Sequence, residues 1–181
     1  MYRKCTTEVS VQNQRKVTAG LLELMQKMPY EDITVTRLCQ VSGVTRRVFY
    51  HLFGNKTGAL YALIDHRVLA FESAGTDISD EVLQFFRYWR EQKAFLDVLW
   101  ENGMSGLLLE RMIGRVLEED FDVRYWLRNN GWASDDKEAI IFGFTGLMGL
   151  VYSWHHTDYS QTPEEMAAVV KKMLYPQFNG I

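Results

Sequence analysis

Residues 33–56 read ITVTRLCQVSGVTRRVFYHLFGNK, and this stretch decides the fold. It predicts two short helices joined by a tight turn. Thr34 is a suitable N-cap, since its hydroxyl can accept from the free N–H groups of a first turn. Val35, Leu38, Cys39 and Val41 then recur at helical spacing and define an apolar face. Ser42-Gly43 interrupts that helix, because glycine takes the positive φ such a turn needs. Thr45 is a second N-cap. The helix that follows has Val48, Phe49, Leu52 and Phe53 as its apolar set. A helix this short is not stable alone, so it must be held against neighbours. Its other face carries Thr45, Arg46, Arg47, Tyr50 and His51. A rigid rod with hydrogen-bond donors on one side is what entry into a DNA major groove requires.

Working outward, residues 1–10 read as a loose arm. A first helix is expected over 11–28, with Val17, Leu21, Leu22, Leu24, Met25 and Met28 as its core stripe and Pro29 as its stop. A fourth helix is expected over 56–73, followed by a break at Gly75-Thr76-Asp77. Further helices are expected over 82–90, 94–101 and 106–119. A short one around 123–128 lies in a polar-aromatic segment. A long apolar helix is expected over 136–156. Thr162-Pro163-Glu164-Glu165 is a start signal for a last helix to about 174, with an N-cap, proline at the first helical position and acidic first-turn residues. No segment alternates as a strand would. The division expected is 1–56 for a helix-turn-helix module, 57–77 for a linking helix and 78–181 for a C-terminal domain.

With its flanks, the opening stretch resembles the TetR/AcrR family of bacterial transcriptional regulators. The resemblance rests on the upstream helix around 15–28, on YEDIT, VSGV and FYHLF, and on GNKTGALYAL, and it covers roughly residues 11–71. The chain departs from the common pattern at Val48-Phe49, where Thr-Leu is usual, at Arg47, where Gly or Pro is common, and at Leu52, where His or Tyr is frequent. The resemblance implies an all-α chain with a three-helix DNA-reading module, a linking helix and a helical regulatory and dimerisation bundle. It implies a homodimeric repressor that binds double-stranded DNA at a pseudo-palindromic operator and is released by a small-molecule effector. It also puts Thr45, Arg46, Arg47, Val48 and His51 near base edges or the adjoining backbone.

Charge agrees with that division. The chain of 181 residues carries a formal net charge of −3. Residues 1–56 hold nine basic and four acidic side chains, a local +5, and the remainder holds eleven basic and nineteen acidic, a local −8. Phosphate attraction follows the local charge, because screening confines fields to about 8–10 Å at physiological salt. An arginine fork can bond guanine O6 and N7 together, which assigns base readout to Arg46 and Arg47. Thr36 on the preceding helix is within reach of the groove. Thr34, Tyr50 and Lys56 suit phosphate contacts, and Lys56 opens a helix, where a cation opposes the dipole.

The C-terminal part is rich in aromatics. Phe86, Trp89, Phe95, Trp100, Tyr125, Trp126, Phe142 and Tyr152 are candidates to line an effector cavity, with Arg90, Glu101, Arg111 and His155 as polar anchors. The alternative is that these aromatics are simply core. Gly143, Gly146 and Gly149 clear one side of the long helix, and with Met166 and Val170 they are candidates for a dimer interface. The alternative there is internal packing. His155 and His156 are adjacent on a helix and point about 100° apart, which disfavours a shared metal. No cofactor is expected, and no phosphate loop or hydrolase motif is present. Two cysteines, Cys5 and Cys39, give no disulfide framework, and no signal peptide or membrane span is read, so a cytoplasmic setting is expected. Two rival readings remain: a DNA-binding regulator with no effector, whose second domain only dimerises or docks a protein, and an enzyme.

Overall fold

The computed structural model describes residues 2–71, 78–118 and 137–174. Among them the chain is all-α, with nine α-helices, one 3-10 turn and no strand. The helices are α1 (Glu8–Met25), α2 (Val35–Ser42), α3 (Arg46–Phe53), α4 (Lys56–Leu69), α5 (Ile78–Glu91), α6 (Lys93–Glu101), α7 (Ser105–Leu117), α8 (Lys137–His156) and α9 (Pro163–Leu174), with the 3-10 turn at Tyr30–Asp32. The break expected at 75–77 and the short helix expected at 123–128, with Tyr125 and Trp126, lie outside the described residues. No described helix is long and apolar enough to cross a membrane.

The chain forms two compact units. Unit 1 holds Met1–Ala70 and Asp97–Arg111, and unit 2 holds Phe71–Leu96 and Met112–Ile181. The division therefore falls inside α6 and inside α7. This differs from the expected division, in which α4 is a separate linker and all of 97–111 belongs to the C-terminal part.

In unit 1, α1 packs against α2, α3 and α4. Val17, Leu21 and Leu24 of α1 meet Leu38 of α2, Phe49, Leu52 and Phe53 of α3, and Leu60, Leu63 and Ile64 of α4 in one buried core. Fully burying a side chain of this kind contributes about 1.5–3 kcal/mol. That burial is what stabilises helices too short to stand alone. Val41, expected on the inner face of α2, is instead 43% exposed. The arm expected to be loose is tied down. Thr7 caps α1 by accepting from the Ser10 N–H, and the Arg3 N–H donates to the Leu52 carbonyl at 2.8 Å.

Unit 2 has an aromatic core. Phe85 stands edge-on to Phe71, Phe86 and Phe144, and Phe86 stands edge-on to Trp154. On α8 the inward positions are Ile140, Phe144, Met148, Val151 and Trp154, spaced by three and four. Helix α9 lies along α5, with Arg87 and Glu164 paired across them at 2.7 Å. Between α8 and α9, Asp158 and Tyr159 sit at φ 48° and 55°. The turn holds this left-handed backbone through the Tyr159 N–H on the Trp154 carbonyl, 2.9 Å, and Arg90 Nη1 on the Tyr159 carbonyl, 2.9 Å.

Candidate nucleic-acid interface

Three caps in sequence build the surface. The Thr34 hydroxyl accepts from the Arg37 N–H at 3.2 Å, the Thr45 hydroxyl from the Val48 N–H at 3.3 Å, and the Asn55 side chain from the Gly58 N–H at 2.8 Å. Gly43 ends α2 at φ 65°, ψ 26°, a left-handed cap that residues with a side chain rarely adopt. These local signals fix where α2 stops and at what angle α3 starts. Ser42 is buried and its hydroxyl donates back to the Leu38 carbonyl at 2.7 Å, which tightens the same turn.

Helix α3 then turns Phe49, Leu52 and Phe53 inward. Thr45, Arg46, Arg47, Tyr50 and His51 stay exposed, and Val48 is half-buried at the edge. The outward groups form two adjoining stripes, 46/50 and 47/51, each spaced by one turn. Arg46 is steadied from two sides. Its Nη1 donates to Thr36 Oγ1 at 3.4 Å, and its guanidinium carbon lies 5.9 Å from the Tyr50 ring centroid. Thr36 thus orients a neighbour on this face as well as standing exposed on α2. No acidic residue occurs between Asp32 and Asp65, so the surface built by α2 and α3 is free of carboxylates of its own. It presents an arginine pair, a phenol, an imidazole and hydroxyls, which together suit phosphate oxygens and base-edge acceptors.

Lys56 sits differently from expectation. Its Nζ donates to the Tyr30 carbonyl at 2.7 Å and the Glu31 carbonyl at 3.2 Å, and it lies 4.2 Å from the Tyr30 ring centroid. The cation at the start of α4 is explained by these carbonyls. They closely surround the ammonium and hold the α1–α2 connection against α4. Cys39 is buried in the core beneath α2, and burial pushes its thiol above the usual range.

The residues expected around an effector are divided between the two units. Trp100 and Arg111 fall in unit 1, and Phe86, Trp89, Arg90, Phe95, Phe142 and His155 fall in unit 2. Phe86, Trp89 and Phe95 are core residues, whereas Phe142 is 80% exposed on the outer side of α8. Phe142 follows from helical phase: Ile140 and Phe144 point inward, and 142 lies between them on the far side. Arg111 is engaged by Asp65, and Arg90 by the 158–159 turn with its guanidinium 4.7 Å from the Tyr159 ring centroid. The rings of His155 and His156 lie 77° apart.

The interface candidates also divide. Gly146 and Gly149 are exposed, and a Cβ built on either meets nothing within 4 Å. Gly143 is half-buried on the same helix. Met166 and Val170, in contrast, are buried within unit 2, because α9 turns the 166/170 stripe inward. Val169 and Met173 are large apolar residues that α9 leaves exposed. Sequence reasoning missed three further residues: Asn102, whose Oδ1 accepts from the Tyr30 N–H at 2.6 Å, Asp65, and Arg3 beside α3. Each acts across a long sequence separation and leaves no local signal. No family model matches this chain, and no curated protein matches it either.

Proposed function

We propose that this chain is a sequence-specific, DNA-binding transcriptional regulator of the TetR-like type, acting as a homodimeric repressor in the cytoplasm. Helix α3 enters the major groove, Arg46 and Arg47 read base edges, and Thr34, Thr45 and Tyr50 meet the backbone. Two copies read the two halves of a pseudo-palindrome. The observation that carries this reading is the exposed face of α3. It is cationic and carboxylate-free, on a helix whose phase is fixed by a left-handed glycine and a threonine cap.

A small-molecule effector that releases the DNA is part of the same proposal. Release requires the effector to prefer the spacing that does not fit the operator, since equal affinity for both states shifts nothing. A second reading, a regulator whose second unit only dimerises or docks a protein, is favoured by one observation. Two of the cavity candidates, Phe86 and Trp89, are buried and stand edge-on to other core rings, Phe86 to Phe85 and Trp154 and Trp89 to Phe85.

The test is selection of duplexes from a random pool by the full chain. Wild type should enrich an inverted repeat, with affinity that falls steeply with salt. Arg47→Ala should relax preference at one position of each half-site, at about 1–3 kcal/mol. A pool that stays random after selection, or identical sites chosen by Arg47→Ala at equal affinity, overturns the assignment.

A further inference from the structure

The N-terminal arm crosses the C-terminal end of α3. The main chain of Arg3 is clamped on both sides: its N–H donates to the Leu52 carbonyl at 2.8 Å, and its carbonyl accepts from Gln14 Nε2 at 2.7 Å. Gln14 is itself buried in α1. The Leu52 carbonyl belongs to the last turn of α3 and has no partner inside the helix, so the arm supplies one. One residue earlier, the Tyr2 hydroxyl donates to Asp65 Oδ2 at 3.0 Å. Arg3 therefore starts from a fixed backbone.

Its side chain turns outward along α3. Arg3 Nη1 meets His51 Nε2 at 2.5 Å, on the 47/51 stripe of the candidate reading face. Capping the helix would need only the backbone N–H. Arg3 is instead an exposed residue whose guanidinium lies beside His51. Arginine only donates, so Nε2 of His51 must accept. The ring proton then resides on Nδ1, which makes the other edge of the imidazole a donor.

We propose that the arm is part of the nucleic-acid interface. Arg3 contacts the phosphodiester backbone flanking α3, and it positions His51 as a donor to a base-edge acceptor. The inference rests on the reading of α3 as a recognition helix. It extends the reading surface to a segment that precedes α2 by some thirty residues.

The experiment uses the full chain and the duplexes that wild type selects from a random pool. Affinity and its salt slope are measured for wild type, Arg3→Ala and Arg3→Lys. The 15N shifts of the His51 ring are recorded for each free protein. Arg3→Ala should lose about 8-fold in affinity per arm near 0.1 M salt, and its slope should fall by about 0.9 per arm. Arg3→Lys should keep the slope, because it keeps the charge. It should relax preference at the position read by His51, because it lacks the planar fork. In both variants the ring should drift from the single Nδ1–H tautomer. If Arg3→Ala matches wild type in affinity and slope, the arm is only a helix cap and the inference falls while the DNA reading stands. A wild-type chain that selects no duplex overturns both.

Discussion

Arg111 grips Asp65 at both carboxylate oxygens, with Nε 3.0 Å from Oδ1 and Nη2 2.5 Å from Oδ2. The carboxylate belongs to α4 and is 1% exposed, while the arginine side chain is 15% exposed. Tyr2 donates a third hydrogen bond to Oδ2, and the Tyr61 ring lies 4.6 Å from the guanidinium carbon. Both carboxylate oxygens thus accept hydrogen bonds. A buried pair of this kind adds little net stability, because desolvation offsets the attraction, but breaking it leaves a charge stranded. Arg111→Ala should therefore destabilise the chain by about 3–5 kcal/mol. The double change Asp65→Leu with Arg111→Leu should cost far less than the single one. Urea unfolding of the three proteins checks this, and equal losses for the single and double variants would sink it.

Gly58 admits no side chain. A Cβ built there meets the Phe53 carbonyl oxygen at 2.0 Å and the Phe53 carbonyl carbon at 3.0 Å. The obstacle is backbone at the end of α3, so no rotamer change relieves it. Alanine normally favours a helix over glycine by about 1 kcal/mol. Here the clash reverses the sign, and Gly58→Ala should destabilise by more than about 2 kcal/mol and tilt α3. A melting temperature at or above wild type would contradict it.

Lys56 offers a way to separate folding from binding. The ammonium closes the 30–32 turn through two carbonyls and the Tyr30 ring. Lys56→Ala should lower stability by about 1–3 kcal/mol, since hydrogen bonds to a charged group are worth more than neutral ones. Lys56→Arg should recover only part, because a planar fork does not fit two adjacent carbonyls as an ammonium does. Circular dichroism melts without DNA read this directly. A wild-type melt for Lys56→Ala, combined with weaker DNA binding, would return Lys56 to the phosphate contacts.

How much of this was legible in the sequence depends on the range of the signal. The caps at Thr34 and Thr45 and the left-handed Gly43 act within one turn and were read from the sequence, whereas the equally local Asn55 cap was not. The inner face of α3 was legible for the same reason. The pairing of Asp65 with Arg111 spans 46 residues and carries no periodicity, so Arg111 read equally well as a pocket anchor. The arm failed in another way: a polar segment with one cysteine looks unstructured until Leu52 and Gln14 are seen to hold it. Helix α9 shows the limit of periodicity. Met166, Val169, Val170 and Met173 are all apolar, so spacing alone does not say which pair goes inward. Packing on α5 decides it for 166 and 170.

The outer side of α8 gives the sharpest test of assembly. Gly146 and Gly149 are open to solvent in the protomer, with exposed Phe142 on the same helix. Exposed glycine inside a helix is costly to a lone chain: alanine would favour the helix by about 0.5–1 kcal/mol. Retaining glycine here is understandable if two α8 helices approach each other closely across a two-fold axis. The two hypotheses then predict opposite signs. Gly146→Ala should leave the fold intact and raise protomer stability by about 0.5–1 kcal/mol if nothing covers the helix. If the stripe is the dimer seam, Gly146→Leu should push the helices apart and raise the dissociation constant at least about tenfold, a difference of about 1.4 kcal/mol. Val169→Asp and Met173→Asp on α9 report whether the seam extends to that helix, whereas Met166→Asp should unfold unit 2 instead. Sedimentation equilibrium over a concentration series separates these cases. A wild-type monomer at micromolar concentration, or a Gly146→Leu dimer as tight as wild type, would exclude α8 from the interface.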